Sequence, residues 1–273
     1  MSSVDANSIF RVDGLVAVIT GGGSGIGLMM ARALAQKGTS KVYILGRRLE
    51  VLQKAAEEHP SLIPHQCDVT VKDDLQGIVD RITTEVGYVN LVIANSGNIG
   101  PAVRFDRVAS ISELRQSLFT NFSMDEMNDT LSLNITAAFF TMTAFLEHLN
   151  AGNRNSMDGG FGKPVNKGSH AAMMQLTKHA STQLARVGIR VNAIAPRINC
   201  GSLSFRSRVG ITQGRTPETE ASEDQRFIPA RRFGGDEEMA GAVLYLSSRA
   251  GSFSNGSILV TDGGRLSVIP ETY

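Results

Sequence analysis

The glycine-rich run TGGGSGIG (20–27) is the feature that most limits how this chain can fold. It follows the apolar stretch LVAVIT (15–20) and opens the stretch GLMMARALAQKG (27–38), so it predicts a tight turn from a buried strand into a helix. Glycines in such a turn let the helix pack closely on the strand and bring backbone N–H groups near a pyrophosphate. The turn residues predicted to contact a dinucleotide are Gly21, Ser24, Gly25, Ile26 and Gly27.

Short apolar runs alternate with longer amphipathic stretches along the rest of the chain, which favours βαβ units and a parallel sheet. The predicted strands are 15–20, 41–46, 62–69, 90–97, 189–196 and 257–264, and the predicted helices are 27–38, 48–59, 74–87, 129–149, 164–185 and 237–248. Residues 100–125 are predicted to be irregular, and 197–228 to form a polar flap. We therefore expect an α/β, Rossmann-type doubly wound parallel sheet in a single domain, 1–273.

Composition and charge exclude several classes of partner. The net charge is +1 and the charged residues are interspersed, so we expect neither nucleic acid nor an anionic membrane as a partner. The two cysteines, Cys67 and Cys200, fit neither a disulfide framework nor a zinc pattern, and no metal is expected. The N-terminal residues lack the features of a signal peptide, and no apolar run reaches the roughly 20 residues of a membrane span. A cytoplasmic protein is expected.

The end of the second strand carries two arginines instead of a carboxylate. A carboxylate at this place usually binds the ribose of NAD, whereas Gly46 is followed here by Arg47 and Arg48. A guanidinium can bind a 2′-phosphate through two hydrogen bonds, so NADP(H) is the predicted cofactor. Asp68 and Val69, at the end of the third strand, are predicted to meet the adenine, although Asp68 also fits an ordinary cap.

With the motif ANSG (94–97) in addition, the chain resembles the short-chain dehydrogenase/reductase family over about residues 12–265. The resemblance also includes Asn134 in the fourth helix, VNAIAP (191–196) and the closing SILVTDGG (257–264). It implies nicotinamide binding at the carboxyl ends of the strands. The further residues that it assigns to the cofactor are Asn95, Gly97, Pro196 and Ile198.

The chain departs from this family where catalysis is expected. The family's active helix carries a tyrosine that protonates the substrate oxygen and, four residues later, a lysine that lowers its pKa. Aligning SHAAMMQLT (169–177) with the family's helix puts Asn166 at the tyrosine position and His170 at the lysine position. Both are then predicted to share one helix face towards the nicotinamide. The strand that carries the family's serine has no clear counterpart, and Ser156 or Asp158 only loosely takes its place.

An amide cannot donate a proton near neutral pH, so Asn166 argues against ordinary carbonyl reduction. A substrate that is already cationic, such as an iminium ion, can accept hydride without a proton donor. This pattern is similar to that of the fungal bifunctional reductase/Diels–Alderases of malbrancheamide and paraherquamide biosynthesis. That resemblance implies NADPH reduction of a cyclic iminium of an indole alkaloid intermediate, followed by intramolecular Diels–Alder (4+2) cycloaddition. It also implies an aspartate where Asn166 stands, which makes Asn166 a neutral replacement.

Two other interpretations stay open: a non-catalytic NADP(H) sensor or scaffold, and a carbonyl reductase with a substitute acid such as Asp158. Asn134 is predicted either to hold a water in the active site or to cap a helix kink. The family also implies a dimer or tetramer through the fourth and fifth helices. The residues predicted to line the substrate pocket are Pro101, Val103, Phe105, Phe119, Phe122 and Arg197.

Overall fold

The structure of the chain, a computed structural model, describes residues 5–101, 109–154, 163–166, 171–196, 217–219, 221–222 and 227–268. The strands are β1 Val16–Thr20, β2 Lys41–Gly46, β3 Leu62–Gln66, β4 Leu91–Ala94, β5 Lys163–Asn166, β6 Asn192–Pro196 and β7 Ile258–Thr261. The α-helices are α1 Ala6–Ile9, α2 Gly25–Gln36, α3 Leu49–Ala56, α4 Lys72–Glu85, α5 Ile111–Arg115, α6 Met124–Leu131, α7 Ala137–Ala144, α8 Leu146–Arg154, α9 Ala171–Leu184 and α10 Asp236–Ser247. Two π-helical turns, Gln116–Thr120 and Ser132–Thr136, follow α5 and α6.

The strands form one parallel sheet in the order β3-β2-β1-β4-β5-β6-β7, which confirms the predicted α/β architecture. The connections reverse direction between β1 and β4, since β2 and β3 lie on one side of β1 and the later strands on the other. In doubly wound sheets, ligands bind at the carboxyl ends of the strands beside such a reversal. Both strands at the reversal are buried along their whole length.

Two apolar layers cover the sheet because successive side chains of a strand point to opposite faces. Ala17 and Ile19 of β1 belong to the layer that contains α2 and α10. Val16 and Val18 belong to the other layer, with residues of α4 and α8. Strands buried on both faces need nearly continuous apolar sequence, and VAVIT and LVIA meet that requirement. In the described part of the chain, no helix is long and apolar enough to cross a membrane.

The chain between 109 and 131 is more regular than its sequence suggested. The irregular segment predicted at 100–125 contains α5, a π-helical turn and the start of α6. Ser110 with Glu113, and Ser123 with Glu126, form capping boxes in which each side chain bonds the backbone of the other residue. The S-x-x-E spacing was visible in the sequence and fixes both helix starts. The prediction of an irregular segment was therefore wrong for these residues.

The long helix predicted at 129–149 is divided into three parts. The π-helical turn Ser132–Thr136 inserts between α6 and α7, and α8 begins anew after Phe145. A π-helical turn carries one extra residue and commonly appears where a side chain has another task. Here Asn134 lies within that turn and bonds a loop after β4.

The helix predicted at 164–185 was wrong in its first part. Lys163–Asn166 form the central strand β5, paired with β4 and β6, and α9 begins only at Ala171. The sheet needs a strand between β4 and β6, and the stretch from the end of α8 to the start of α9 supplies it. Pairing with β4 and β6 therefore determines the conformation of residues 163–166, in place of the helical sequence pattern. Asn166 therefore does not share a helix face with His170, which lies outside the described residues.

Three strands end earlier than predicted. The strand predicted at 62–69 ends at Gln66, the one predicted at 90–97 ends at Ala94, and the one predicted at 257–264 ends at Thr261. The residues that follow, including Asp68 and Asn95, are thereby released into loops at the carboxyl edge. Loops at this edge are where a doubly wound sheet holds its ligands.

His148 is buried on α8 against the second apolar layer. Its Nε2 lies 2.9 Å from the Thr83 hydroxyl, and its ring packs edge-on to Phe145 with centroids 6.1 Å apart. Burial lowers the pKa of His148, and the nearby Glu147 opposes this shift. Burial likewise lowers the pKa of His65. Both histidines are therefore held neutral by the fold.

We predict that acid destabilises the protein through these two histidines. An unfolded histidine titrates near 6.5, so their contribution is complete above that pH and is lost as the pH falls towards their lower folded pKa values. Denaturant unfolding at pH 7.5 and pH 5.5 should show a smaller unfolding free energy in acid, and His148→Gln should reduce this difference. Equal pH dependence in the variant and the wild type would assign the effect to other groups.

Candidate active site

The glycine turn places the start of α2 at the carboxyl end of β1, as predicted. Gly21 and Gly25 have φ of 65° and 55°, a conformation that favours glycine. A Cβ on Gly27 would lie 2.3 Å from the Gly21 carbonyl oxygen, whereas a Cβ on Gly25 would meet nothing within 4 Å. Gly27 thus serves close packing, and Gly25 borders open space. The N–H groups of the first turn of α2 precede its hydrogen-bond ladder and suit a phosphate.

Ser24 and Ile26 complete the turn. Ser24 is the N-cap residue of α2, and its side chain makes no capping hydrogen bond, so the helix does not occupy its hydroxyl. Ile26 packs against the first apolar layer. The turn therefore has the open backbone that binding of a dinucleotide pyrophosphate requires. Contact with a nucleotide stays a prediction for the five turn residues.

Thr20 and Asn95 join this turn to the end of β4. The Thr20 hydroxyl oxygen accepts hydrogen bonds from the N–H groups of Asn95 at 2.9 Å and Ser96 at 3.0 Å. The Asn95 side-chain amide donates to the carbonyl oxygens of Thr20 at 2.9 Å and Gly21 at 3.4 Å. Asn95 therefore links the end of β1 to the loop that follows β4. Sequence reasoning missed Thr20, although it is the first letter of the glycine motif and ends β1.

The loops after β2 and β3 lie next to each other at the same edge. The Gln66 side chain donates a hydrogen bond to the Arg47 carbonyl oxygen at 3.0 Å. Gly46 ends β2, and Arg47 and Arg48 are both exposed. Two exposed arginines, and no carboxylate, therefore come directly after β2.

The Asp68 carboxylate stabilises the turn that follows β3 by bonding Thr70. It accepts hydrogen bonds from the hydroxyl and the N–H of Thr70, at 2.7 and 3.0 Å, through one carboxylate oxygen. The Thr70 hydroxyl is the main cause that lowers the pKa of Asp68, and Arg47 adds to it. The side chain of Val69 is buried in the second apolar layer. Val69 can therefore meet an adenine only through its backbone.

Asn134 grips the loop that follows β4. Its Oδ1 accepts from the Asn98 N–H at 2.9 Å, and its Nδ2 donates to the Asn98 carbonyl oxygen at 2.8 Å. A Cβ on Gly97 would lie 2.9 Å from the same Oδ1, which explains the glycine there. Asn134 thus lies in a helix irregularity and positions the loop after β4, and its predicted role with an active-site water stays a prediction. Asn134 is a positioning residue in this arrangement.

Asn166 lies at the end of a strand and not, as was predicted from the sequence, on a helix. It is the last residue of β5, level with Ala94 of β4 and Ala193 of β6. It therefore lies at the ligand edge of the sheet, on the strand that in the family supplies the serine. Pro196 ends β6 at the same edge. The described strands β4, β5 and β6 end in Ala94, Asn166 and Pro196, and of these three only Asn166 has a polar side chain, an amide that does not titrate near neutral pH.

The predicted substrate pocket is described only in part. Pro101 is partly buried, whereas Phe119 is 73% exposed, with the Arg115 guanidinium 4.9 Å from its ring centroid. Phe119 thus lies on the surface of the described structure. Predicted residues outside the described ranges are Val103, Phe105, Ser156, Asp158, His170, Arg197, Ile198 and most of the flap 197–228.

The sequence similarity to known proteins extends over almost the whole chain. The family described as short chain dehydrogenase matches residues 15–200. Short-chain dehydrogenase/reductase SAT3 of Stachybotrys chartarum is 49% identical over 277 aligned positions, which cover 89% of this chain and 100% of that protein. Short-chain dehydrogenase/reductase PhomF of Diaporthe leptostromiformis is 40% identical over 294 positions, which cover 99% and 98%.

Solved structures agree with the fold. A gluconate 5-dehydrogenase from Burkholderia cenocepacia, crystallised in complex with NADP and tartrate, superposes with a TM-score of 0.72 at 26% identity. The superposition covers 96% of this chain and 99% of that one.

Proposed function

Because this chain belongs to the short-chain dehydrogenase/reductase family of oxidoreductases, we propose that it is an NADPH-dependent reductase of a cyclic iminium intermediate in fungal indole alkaloid biosynthesis. The observation that carries the proposal is the amide of Asn166 at the carboxyl end of the central strand β5. A family member with an amide at this edge lacks the tyrosine and the lysine of proton transfer. It therefore needs a hydride acceptor that is reduced without being protonated.

The nucleotide site supports NADP(H) as the cofactor. The glycine turn would hold the pyrophosphate, Arg47 and Arg48 the 2′-phosphate, and the Asn95–Gly97 loop the nicotinamide side. When bound, NADPH supplies a hydride. The family uses NAD(P)H, and the absence of a carboxylate directly after β2 favours the phosphorylated form.

We predict that Arg47→Gln weakens NADPH binding by about tenfold or more and leaves NADH binding nearly unchanged. A charged hydrogen bond to a phosphate contributes about 1.5–3 kcal/mol, and only NADPH carries that phosphate. Isothermal titration calorimetry with both nucleotides measures the two affinities. The matched control is Arg186→Gln, at the far end of α9. An equal loss for both nucleotides would contradict a 2′-phosphate contact.

The substrate class follows from proton and charge balance. A carbonyl that accepts a hydride becomes an alkoxide and must be protonated, whereas an iminium becomes a neutral amine. An amide donates no proton at neutral pH, so it serves only the second case. A lysine about 4 Å from a cationic substrate would also repel it by about 4 kcal/mol at an effective dielectric constant near 20. The replacement of the family's lysine by His170 suits a cationic acceptor.

A second activity, an intramolecular Diels–Alder (4+2) cycloaddition of the reduced intermediate, is part of the proposal. Such a reaction needs no proton transfer and gains from confinement and orientation of the diene and the dienophile. Pro101, which is partly buried, would supply an apolar contact to the substrate. If Asn166 replaces an aspartate, the reduction is weakened, and the cycloaddition is affected less.

We predict that the protein consumes NADPH with a cyclic iminium of a prenylated Pro–Trp-derived intermediate, and that Asn166→Asp raises this rate by about tenfold or more, since a carboxylate stabilises the cationic acceptor. Asn150→Asp, which adds the same charge on the exposed side of α8, should not change it. Absorbance of NADPH follows the reduction, and chiral chromatography follows the cycloadduct.

Each other outcome identifies an alternative. Nucleotide binding without NADPH consumption in either form would favour a sensor or scaffold. A simple ketone reduced as fast as the iminium would favour a carbonyl reductase with a substitute acid. A racemic adduct would remove the cycloaddition from the proposal.

We also propose a homo-oligomer, dimer or tetramer, that contacts itself through the fourth and fifth predicted helices, which correspond to α6–α8 and α9. Met124, Met127 and Leu131 lie on one face of α6 and are 79%, 43% and 49% exposed. Contiguous exposed apolar side chains of this kind mark interaction surfaces. Sedimentation velocity should show two or four copies, and Met124→Glu with Met127→Glu should dissociate them without loss of helix content. A monomeric wild type would refute this assembly.

A further inference from the structure

The central strand β5 has a sequence that does not suit its place in the sheet. Its neighbour β4 and the strand β1 are buried along their length with the sequences LVIA and VAVIT, as parallel central strands require. β5 has the sequence KPVN, with a lysine, a proline and an asparagine. Such a sequence does not specify a central strand.

Pro164 is the most informative residue of this strand. It pairs with Val92 of β4, and it has no N–H to donate to a sheet ladder. Proline is found in sheets mainly on edge strands, and the chain provides that example too, because Pro64 lies in β3 at the edge of the sheet. Proline is thus tolerated at position 64 and misplaced at position 164.

Similar proteins contain residues that this chain lacks. Since 89% of 273 residues is about 243, an alignment of 277 positions with SAT3 leaves at least about 34 positions with no residue in this chain. The alignment with PhomF, 294 positions on 99% or about 270 residues, leaves at least about 24. Among the described residues, β1 to β4 are regularly paired, and so are β6 and β7. The unsuited sequence of β5 favours the chain around β5 as the place of the missing positions.

We infer that the family's active-site segment, the apolar strand with its serine and the following helix start with its tyrosine, is missing between α8 and α9, and that Lys163–Asn166 fill the strand position that it leaves. Only residues 167–170 join β5 to α9, so no room is left for that segment. The nucleotide half of the site is retained. The inference deepens the proposed function and rests on it for the substrate. Without the serine and the tyrosine, the protein no longer reduces carbonyl compounds.

The first test is Pro164→Val with Pro64→Val as the matched control. If β5 is a substitute strand, valine at 164 adds a ladder hydrogen bond and an apolar branch, and the melting temperature should rise by about 2 °C or more. Valine at 64, on the edge, should bring no such rise. A melting temperature that stays or falls in Pro164→Val would overturn the inference, because a strand adapted to its place gains nothing from the exchange.

The second test replaces residues 155–170 by a segment that carries the family's apolar strand with its serine, its tyrosine and its lysine. The chimera should melt higher than the wild type and reduce simple ketones with NADPH, which the wild type should not do. Ketone reduction by the wild type, or a chimera that neither melts higher nor reduces any ketone, would contradict the inference. If Pro164→Val is stabilised while the wild type reduces neither ketone nor iminium, the inference stands and the proposed function fails.

Discussion

The Thr20 hydroxyl and the Asn95 amide together join the two strands at the point where the sheet reverses its winding. Thr20 accepts two backbone hydrogen bonds from the end of β4, and Asn95 returns two to the end of β1. Gly27 is held beneath this junction with no space for a side chain. The predicted nucleotide residues of the glycine turn and of the loop after β4 depend on this junction, because it fixes this turn, the start of α2 and this loop relative to each other.

The site divides into a nucleotide half that follows the family and a proton-transfer half that departs from it. The first half rests on β1, β2, β3 and β4, whose sequences and pairings agree. The second should come from β5 and the start of α9, and there the strand ends in an amide. Asn134 belongs to the retained half, since it holds the Asn98 peptide with both side-chain groups. Under the proposed function, a protein built in this way binds the reductant and is limited in the acceptors that it can reduce.

Local patterns were sufficient to predict the elements whose own sequence determines them. The glycine turn, β2 and α4 follow from periodicity and turn chemistry, and the capping boxes at Ser110 and Ser123 could have been read in the same way. β5 could not, because its conformation is imposed by β4 and β6 rather than by its residues. The bond between Asn134 and Asn98 joins residues 36 apart in the chain, and no local signal predicts such a pair.

Dinucleotide binding at the glycine turn is the property on which the proposed function depends most directly. The measurement that tests it is calorimetric titration of NADPH into the wild type and Gly27→Ala, with melting curves to confirm that the variant is folded. A methyl group at residue 27 would lie 2.3 Å from the Gly21 carbonyl oxygen and 2.5 Å from the Asn95 amide nitrogen. We predict saturable binding by the wild type and a loss of affinity of about a hundredfold or more in the variant, which corresponds to roughly 3 kcal/mol. Equal affinities, or no heat from the wild type, would contradict it.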